Sequence, residues 1–181
     1  MNKKTPHKFQ GKMVLTYEQF FQDRYRDTVG LAEVFEHALG RKRAFGIIKK
    51  WAEKSGVESV KNQLSKKPIK KFEDFKRFVK EENESPFWTH ALTVTYPEET
   101  PVKLSAHITE CLWAKTFKEM NATKLGYVIC CRRDFATARA YNPKIRLKRT
   151  KTVMQGDGYC NHTYYWKERK LPHPQSLGWL G

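Results

Sequence analysis

Within six residues the chain places a carboxylate, a thiol and an imidazole: Asp157, Cys160 and His162, inside RTKTVMQGDGYCNHTYYW (149–166). A thiol attacks as its thiolate, and a nearby imidazole or carboxylate can take its proton. Gly156-Asp157-Gly158 marks a turn between two β-rich runs, because glycine reaches positive φ at little cost. If 159–166 is a strand, Cys160, His162, Tyr164 and Trp166 share one face. Cys160 and His162 then lie roughly 7 Å apart at Cα, close enough to line one small site. The plain structural alternative is a buried hairpin thiol beside a hydrogen-bonded histidine.

Three more cysteines stand at 111, 130 and 131. No two of the four form a CxxC pair, so a zinc ribbon or finger has no support. Free thiols, ligands or nucleophiles are the reading for a chain of this size. A helix over 110–120 carries Trp113, Phe117 and Met120 on one stripe, with Cys111 nearly opposite it if the helix begins before Cys111. Cys131 and Asp134 are three apart and share a face if that stretch is helical. Cys130 points elsewhere and reads as packing. Cys111, Cys131 and Cys160 could serve a bound metal or an iron–sulfur cluster as easily as a nucleophile.

The elements that must position these groups are legible in outline. Thr16 to Gln19 has capping-box spacing and opens a helix that stops at Gly40. A second helix runs from about Arg41 to Lys54, ended by Ser55-Gly56, and weaker helices follow at about 57–65 and 72–82. At Pro86 the period changes: Trp88, His90, Leu92, Val94 and Tyr96 alternate as a strand, with His90 among core-facing residues. A turn over Pro97–Pro101 leads to a second strand with Val102, Leu104, Ala106 and Ile108 on one face. On its other face His107 is exposed or points into a site. His37 reads as structural. The apolar run 125–131 leans helical, and a helix over 134–141 stops at Asn142-Pro143. A strand over 145–154 leads into the final hairpin, and the Pro-rich stretch beyond Lys170 reads as an extended arm. The expectation is one α+β domain over 1–181: a helical part (1–85), a part with a four-stranded, mostly antiparallel sheet (86–170), and a C-terminal arm (171–181).

The chain of 181 residues carries a net charge of +16. Residues 1–80 hold net +11 and residues 81–181 net +5, and the basic clusters are interleaved with acids. Without a groove-reading motif or stacking platform, this reads as a solvated basic face and not a nucleic-acid site. Aromatics at 13% exclude a disordered chain. No apolar run spans a membrane, and no apolar segment follows the basic start, so a cytoplasmic protein without a membrane partner is expected. Self-association is left open.

Three pieces in order, ECLWAKTFKEM, CRRDFATARAYNPK and RTKTVMQGDGYCNHTYYW, resemble the bacterial L-2-amino-thiazoline-4-carboxylic acid hydrolase family. They span Thr109 to Trp166. The resemblance implies hydrolysis of a small cyclic isothiourea to N-carbamoyl-L-cysteine: attack at the amidine-like C2, then loss of the ring sulfur. Cys160 could attack directly, or thiolate, imidazole and carboxylate could hold a zinc ion that lowers the pKa of bound water to about 7. A guanidinium or ammonium such as Arg149 or Lys151 suits a substrate carboxylate, unless the two are charges on a strand's wet face. The shared pieces imply that Cys111, Cys131, Asp134 and Cys160 meet around one pocket, with His162 and Asp157 beside Cys160. The other reading is a non-catalytic domain that binds a small molecule or metal.

Overall fold

The computed structural model describes residues 13–65 and 67–167. Four strands form one antiparallel sheet, β1 (Leu92–Thr100), β2 (Lys103–Cys111), β3 (Ile145–Lys148) and β4 (Cys160–Trp166), in the order β1-β2-β4-β3. Two hairpins therefore lie side by side. Alternation decides the faces: Leu104, Ala106 and Ile108 of β2 are buried, while Thr93 and Thr95 of β1 are exposed. Ala106 pairs with His162 and Ile108 with Cys160, which fixes those two side chains on the covered face. The fold class is the expected α+β, with helices over one face of the sheet.

The helices begin with α1 (Tyr17–Leu39), capped by Thr16 through the capping box, and α2 (Arg41–Leu64). Gly40, at φ 75°, makes the corner between them, in a region of backbone space that favours glycine. Ser55-Gly56 does not end α2. Gly56 is buried inside it because its missing side chain makes room: a Cβ there would lie 2.8 Å from Thr137 Cγ2. Then come α3 (Phe72–Asn83) and α4 (Pro86–Ala91).

The expected strand from Pro86 is in its first half this short helix. Proline suits the first helical turn, where its missing N–H is no loss. His90 is consequently not a core residue; it is exposed and stacks on Tyr17 with ring centroids 4.6 Å apart. The strand itself continues through Pro97 to Thr100, with a register irregularity between Thr95 and Glu98. Proline is tolerated there because β1 is an edge strand.

Between the hairpins lie α5 (Leu112–Glu119), α6 (Thr123–Gly126), one π-helical turn over Tyr127–Cys131, and α7 (Asp134–Tyr141). The helical reading of 125–131 stands, with one extra residue in the turn: Arg132 N–H donates to the Tyr127 carbonyl. β3 stops at Lys148 and not near 154. Residues 149–159 instead form an irregular return containing a 3-10 turn at Val153–Gln155. Gly156, at φ 99°, sits in that return where the Gly-Asp-Gly turn was expected.

Two large apolar clusters and a smaller one, of Phe21, Ala91 and Leu112, hold the helices to one another and to the sheet. One gathers Val29, Ile48, Phe117, Leu125 and Met154 between α1, α2, α5 and α6. The other gathers Phe75, Phe78, Leu104, Ile145 and Leu147 between α3, α7 and the sheet. The expected arm over 171–181 lies outside the described residues. Among the described residues no helix is long and apolar enough to cross a membrane.

Candidate active site

A cavity of about 280 Å³ lies between the covered face of the sheet and the helices. Its floor is Ala106, Ile108, Cys160, His162 and Tyr164, brought together by the β2–β4 register. Its roof comes from α2, α3 and α7, and Trp88 and Trp113 close one side with ring centroids 5.4 Å apart. All four cysteines reach it. Cys111 ends β2 and caps α5, its Sγ accepting the Ala114 N–H at 3.4 Å; the helix begins after it, not before. Cys130 and Cys131 come from the π-helical turn, so Cys130 lines the cavity as well as packing.

Arg149 organises the polar end. Its side chain is only 2% exposed. Nη1 donates to Asp134 Oδ2 at 2.7 Å and lies 3.1 Å from His162 Nε2, and Nη2 donates to the Cys131 carbonyl at 2.8 Å. Phe135 and Tyr127 flank the guanidinium, with centroids 5.1 and 5.9 Å away. Because a guanidinium only donates, Nε2 of His162 must accept. The proton then sits on Nδ1, which faces the Tyr164 hydroxyl at 3.3 Å.

These contacts set the protonation states. Burial, helped by the Arg149 charge, holds His162 at about 3, so it is neutral and a poor base. Burial pushes the Cys111 thiol up to about 11 and Cys130 to about 12, and it raises Cys131 and Cys160 too. Burial also raises the carboxyl of Asp134, against the pull of Arg149. Asp134 keeps a third of its side chain exposed, and its Oδ1 has no hydrogen-bond partner among the described residues.

The neutral His162 gives a pH signature. Its folded value lies below its ordinary 6.5, so the unfolded chain binds the extra proton as pH falls from about 6.5 toward 3. The stability tied to its neutrality is complete above that window and is lost within it, on the order of 5 kcal/mol at the limit. Urea unfolding at a series of pH values should show wild type losing more stability on acidification than His162→Gln. Parallel curves would contradict the assignment.

Cys111, Cys131, Asp134, Cys160 and His162 thus meet at one cavity, as the shared sequence pieces imply. Other expectations are corrected. Asp157 is exposed and outside the cavity; its Oδ2 accepts the Thr152 N–H at 2.7 Å and closes the return loop. Lys151 is exposed too, its Nζ over the Tyr159 ring. Arg149 is not on a wet strand face; it is buried, and three of its five N–H donors go to protein acceptors. His107 is on the other face of the sheet, against Tyr159. Cys111, Cys131 and Cys160 share the cavity wall without making a ligand set: among the described residues no three of the His, Cys, Asp and Glu side chains are grouped to hold a metal ion. Cys160 Sγ instead accepts the Val153 N–H at 3.3 Å. The sequence reading gave Trp88 and Trp113 only packing positions and passed over Arg133, although Arg133 lies between Cys131 and Asp134 in the second shared piece.

A cavity with neutral thiols, a raised carboxyl and a buried cation behind it is the setting of an enzyme or a small-molecule binding site. The model of the L-2-amino-thiazoline-4-carboxylic acid hydrolase family matches residues 21–164, most of the chain. The protein belongs to that family. No curated protein matches the chain. Among solved structures it is similar to the phenol-responsive sensory domain of the transcription activator PoxR with phenol. That likeness has a TM-score of 0.46 and 14% identity, over 86% of this chain and 77% of that one.

Proposed function

We propose that the cavity binds a small cyclic amidine and opens it with water, as in the conversion of L-2-amino-thiazoline-4-carboxylate to N-carbamoyl-L-cysteine. The observation that carries this reading is Asp134, which lines the cavity: a carboxyl raised by burial, held on one oxygen by Arg149, with the other bonded to none of the described residues. A raised carboxyl suits proton transfer near neutral pH. Asp134 takes a proton from the attacking water, whose oxygen bonds to C2. The C2–S bond then breaks and its electron pair goes to sulfur. The two protons of water end on the ring nitrogen and the sulfur, which completes the carbamoyl thiol.

The thiols have another part in this scheme. Direct attack by Cys160 needs a thiolate, and burial disfavours one while His162 is too weak a base to make it. Soft, polarizable sulfurs instead offer a wall against which a ring sulfur can lie. The volume suits one small ring, being at the low end of ligand cavities.

One observation favours a second reading, a non-catalytic binding domain: Arg149, His162 and Tyr164 are tied to one another and not aimed at a substrate. Incubation of the full chain with L-2-amino-thiazoline-4-carboxylate separates the two. Catalytic release of free thiol in the protein-free filtrate supports the hydrolase. Saturable binding without release supports the binding domain.

A further inference from the structure

We propose that Arg133 is the anion-recognising residue of this cavity, and that the ligand it selects carries a carboxylate. The inference deepens the reading of the cavity as the ligand site and rests on that reading. Two arginines line the cavity, Arg133 and Arg149, and only Arg149 is tied into protein contacts, buried and bonded to Asp134, His162 and the Cys131 carbonyl. Among the described residues the Arg133 guanidinium has no hydrogen bond, and no carboxylate lies within ion-pairing distance of it. The cavity's two acids are committed elsewhere: Asp134 Oδ2 to Arg149, and Glu82 Oε2 to the Trp88 indole N–H at 3.2 Å.

The backbone arranges for this side chain. Arg133 precedes α7, and its stem lies over the bare α-carbon of Gly56 in α2, where an added Cβ would be 3.1 Å from Arg133 Cδ. The stem is thereby laid along α2, and the side chain lines the cavity. Its positive field is felt there: it acts on Asp134, Cys130, Tyr25 and Tyr141. A planar guanidinium with unfilled donors is the group that binds a carboxylate on two parallel N–H···O bonds. Such a contact suits a ring bearing an acid and leaves Asp134 Oδ1 to the attacking water.

Calorimetric titration with two ligands that cannot be hydrolysed, thiophene-2-carboxylate and its neutral amide, tests the assignment apart from turnover. Wild type should prefer the acid by about 10- to 100-fold. Arg133→Met should abolish that preference by weakening the acid far more than the amide, and Arg133→Lys should fall between. Absence of preference in wild type, failure of wild type to bind either ligand, preference retained in folded Arg133→Met, or equal loss of both ligands would each overturn the assignment. If the Arg133-dependent preference is found but no ring is ever opened, the hydrolytic reading fails and this one stands.

Discussion

Arg149→Met should be the most destabilising single change at the site, costing about 3–5 kcal/mol. The side chain is 2% exposed and answers three acceptors: Asp134, His162 and the Cys131 carbonyl. Removing it leaves a carboxylate already disfavoured by burial without its counter-charge and strands two further acceptors. For a chain of this length the loss corresponds to a fall in Tm of about 6–20 °C. Arg149→Lys should recover only part, since one ammonium cannot reproduce the planar fork. In the double variant with Asp134→Asn the losses should fall short of additive, because the two residues share one interaction. Thermal and urea unfolding of wild type, Arg149→Met, Arg149→Lys, Asp134→Asn and the double variant decide this. A loss below about 1 kcal/mol for Arg149→Met would place it among ordinary surface pairs and contradict the network.

Asp134→Asn should lower turnover of the cyclic amidine by about 10²–10⁴-fold, the range typical of a lost general acid or base. The amide keeps the shape of the side chain and an oxygen for Arg149, so circular dichroism should still report a folded protein. The pH profile adds a second readout. The carboxylate form is the base, and burial raises its pKa, so kcat should climb with pH through a midpoint above the ordinary carboxylate range. Cys160→Ser should leave most activity, because its thiol is buried, raised and tied to the Val153 N–H. The reverse pattern, Cys160→Ser inactive and Asp134→Asn active, would move the reaction to a thiol.

How much of this was legible in the sequence follows the range of the forces. Period-two alternation in 102–108 and 160–166 identified the covered sheet face, because that pattern depends only on a strand's own geometry. The capping box at Thr16 is equally local. Pro86 misled because it fits a strand boundary and a first helical turn alike, and Gly56 because a glycine that ends a helix looks like one that lets a neighbour pack close. Cys111 differed by a single boundary: it ends β2, one residue before α5 begins.

The site was legible in its members more than in its wiring. Cys111, Cys131, Asp134, Cys160 and His162 were all picked out, but Arg149 looked like a substrate-binding cation. Its burial depends on α7, the π-helical turn and β4 converging on it, and no local pattern carries that. Asp157 erred the other way: nearness in sequence suggested a partner for Cys160, whereas its carboxylate closes a loop. Arg133 was overlooked because, without the fold, nothing distinguished a cavity arginine from its neighbour Arg132.

The central claim, that water opens a ring in this cavity with Asp134 as proton acceptor, is tested most directly by turnover of L-2-amino-thiazoline-4-carboxylate in ¹⁸O-labelled water, read by mass spectrometry. The account predicts N-carbamoyl-cysteine with the label in its carbamoyl oxygen from the wild-type protein, and almost none from folded Asp134→Asn. Ligand that binds and is recovered unopened from the wild-type protein, or labelled product formed equally fast by Asp134→Asn, would contradict it.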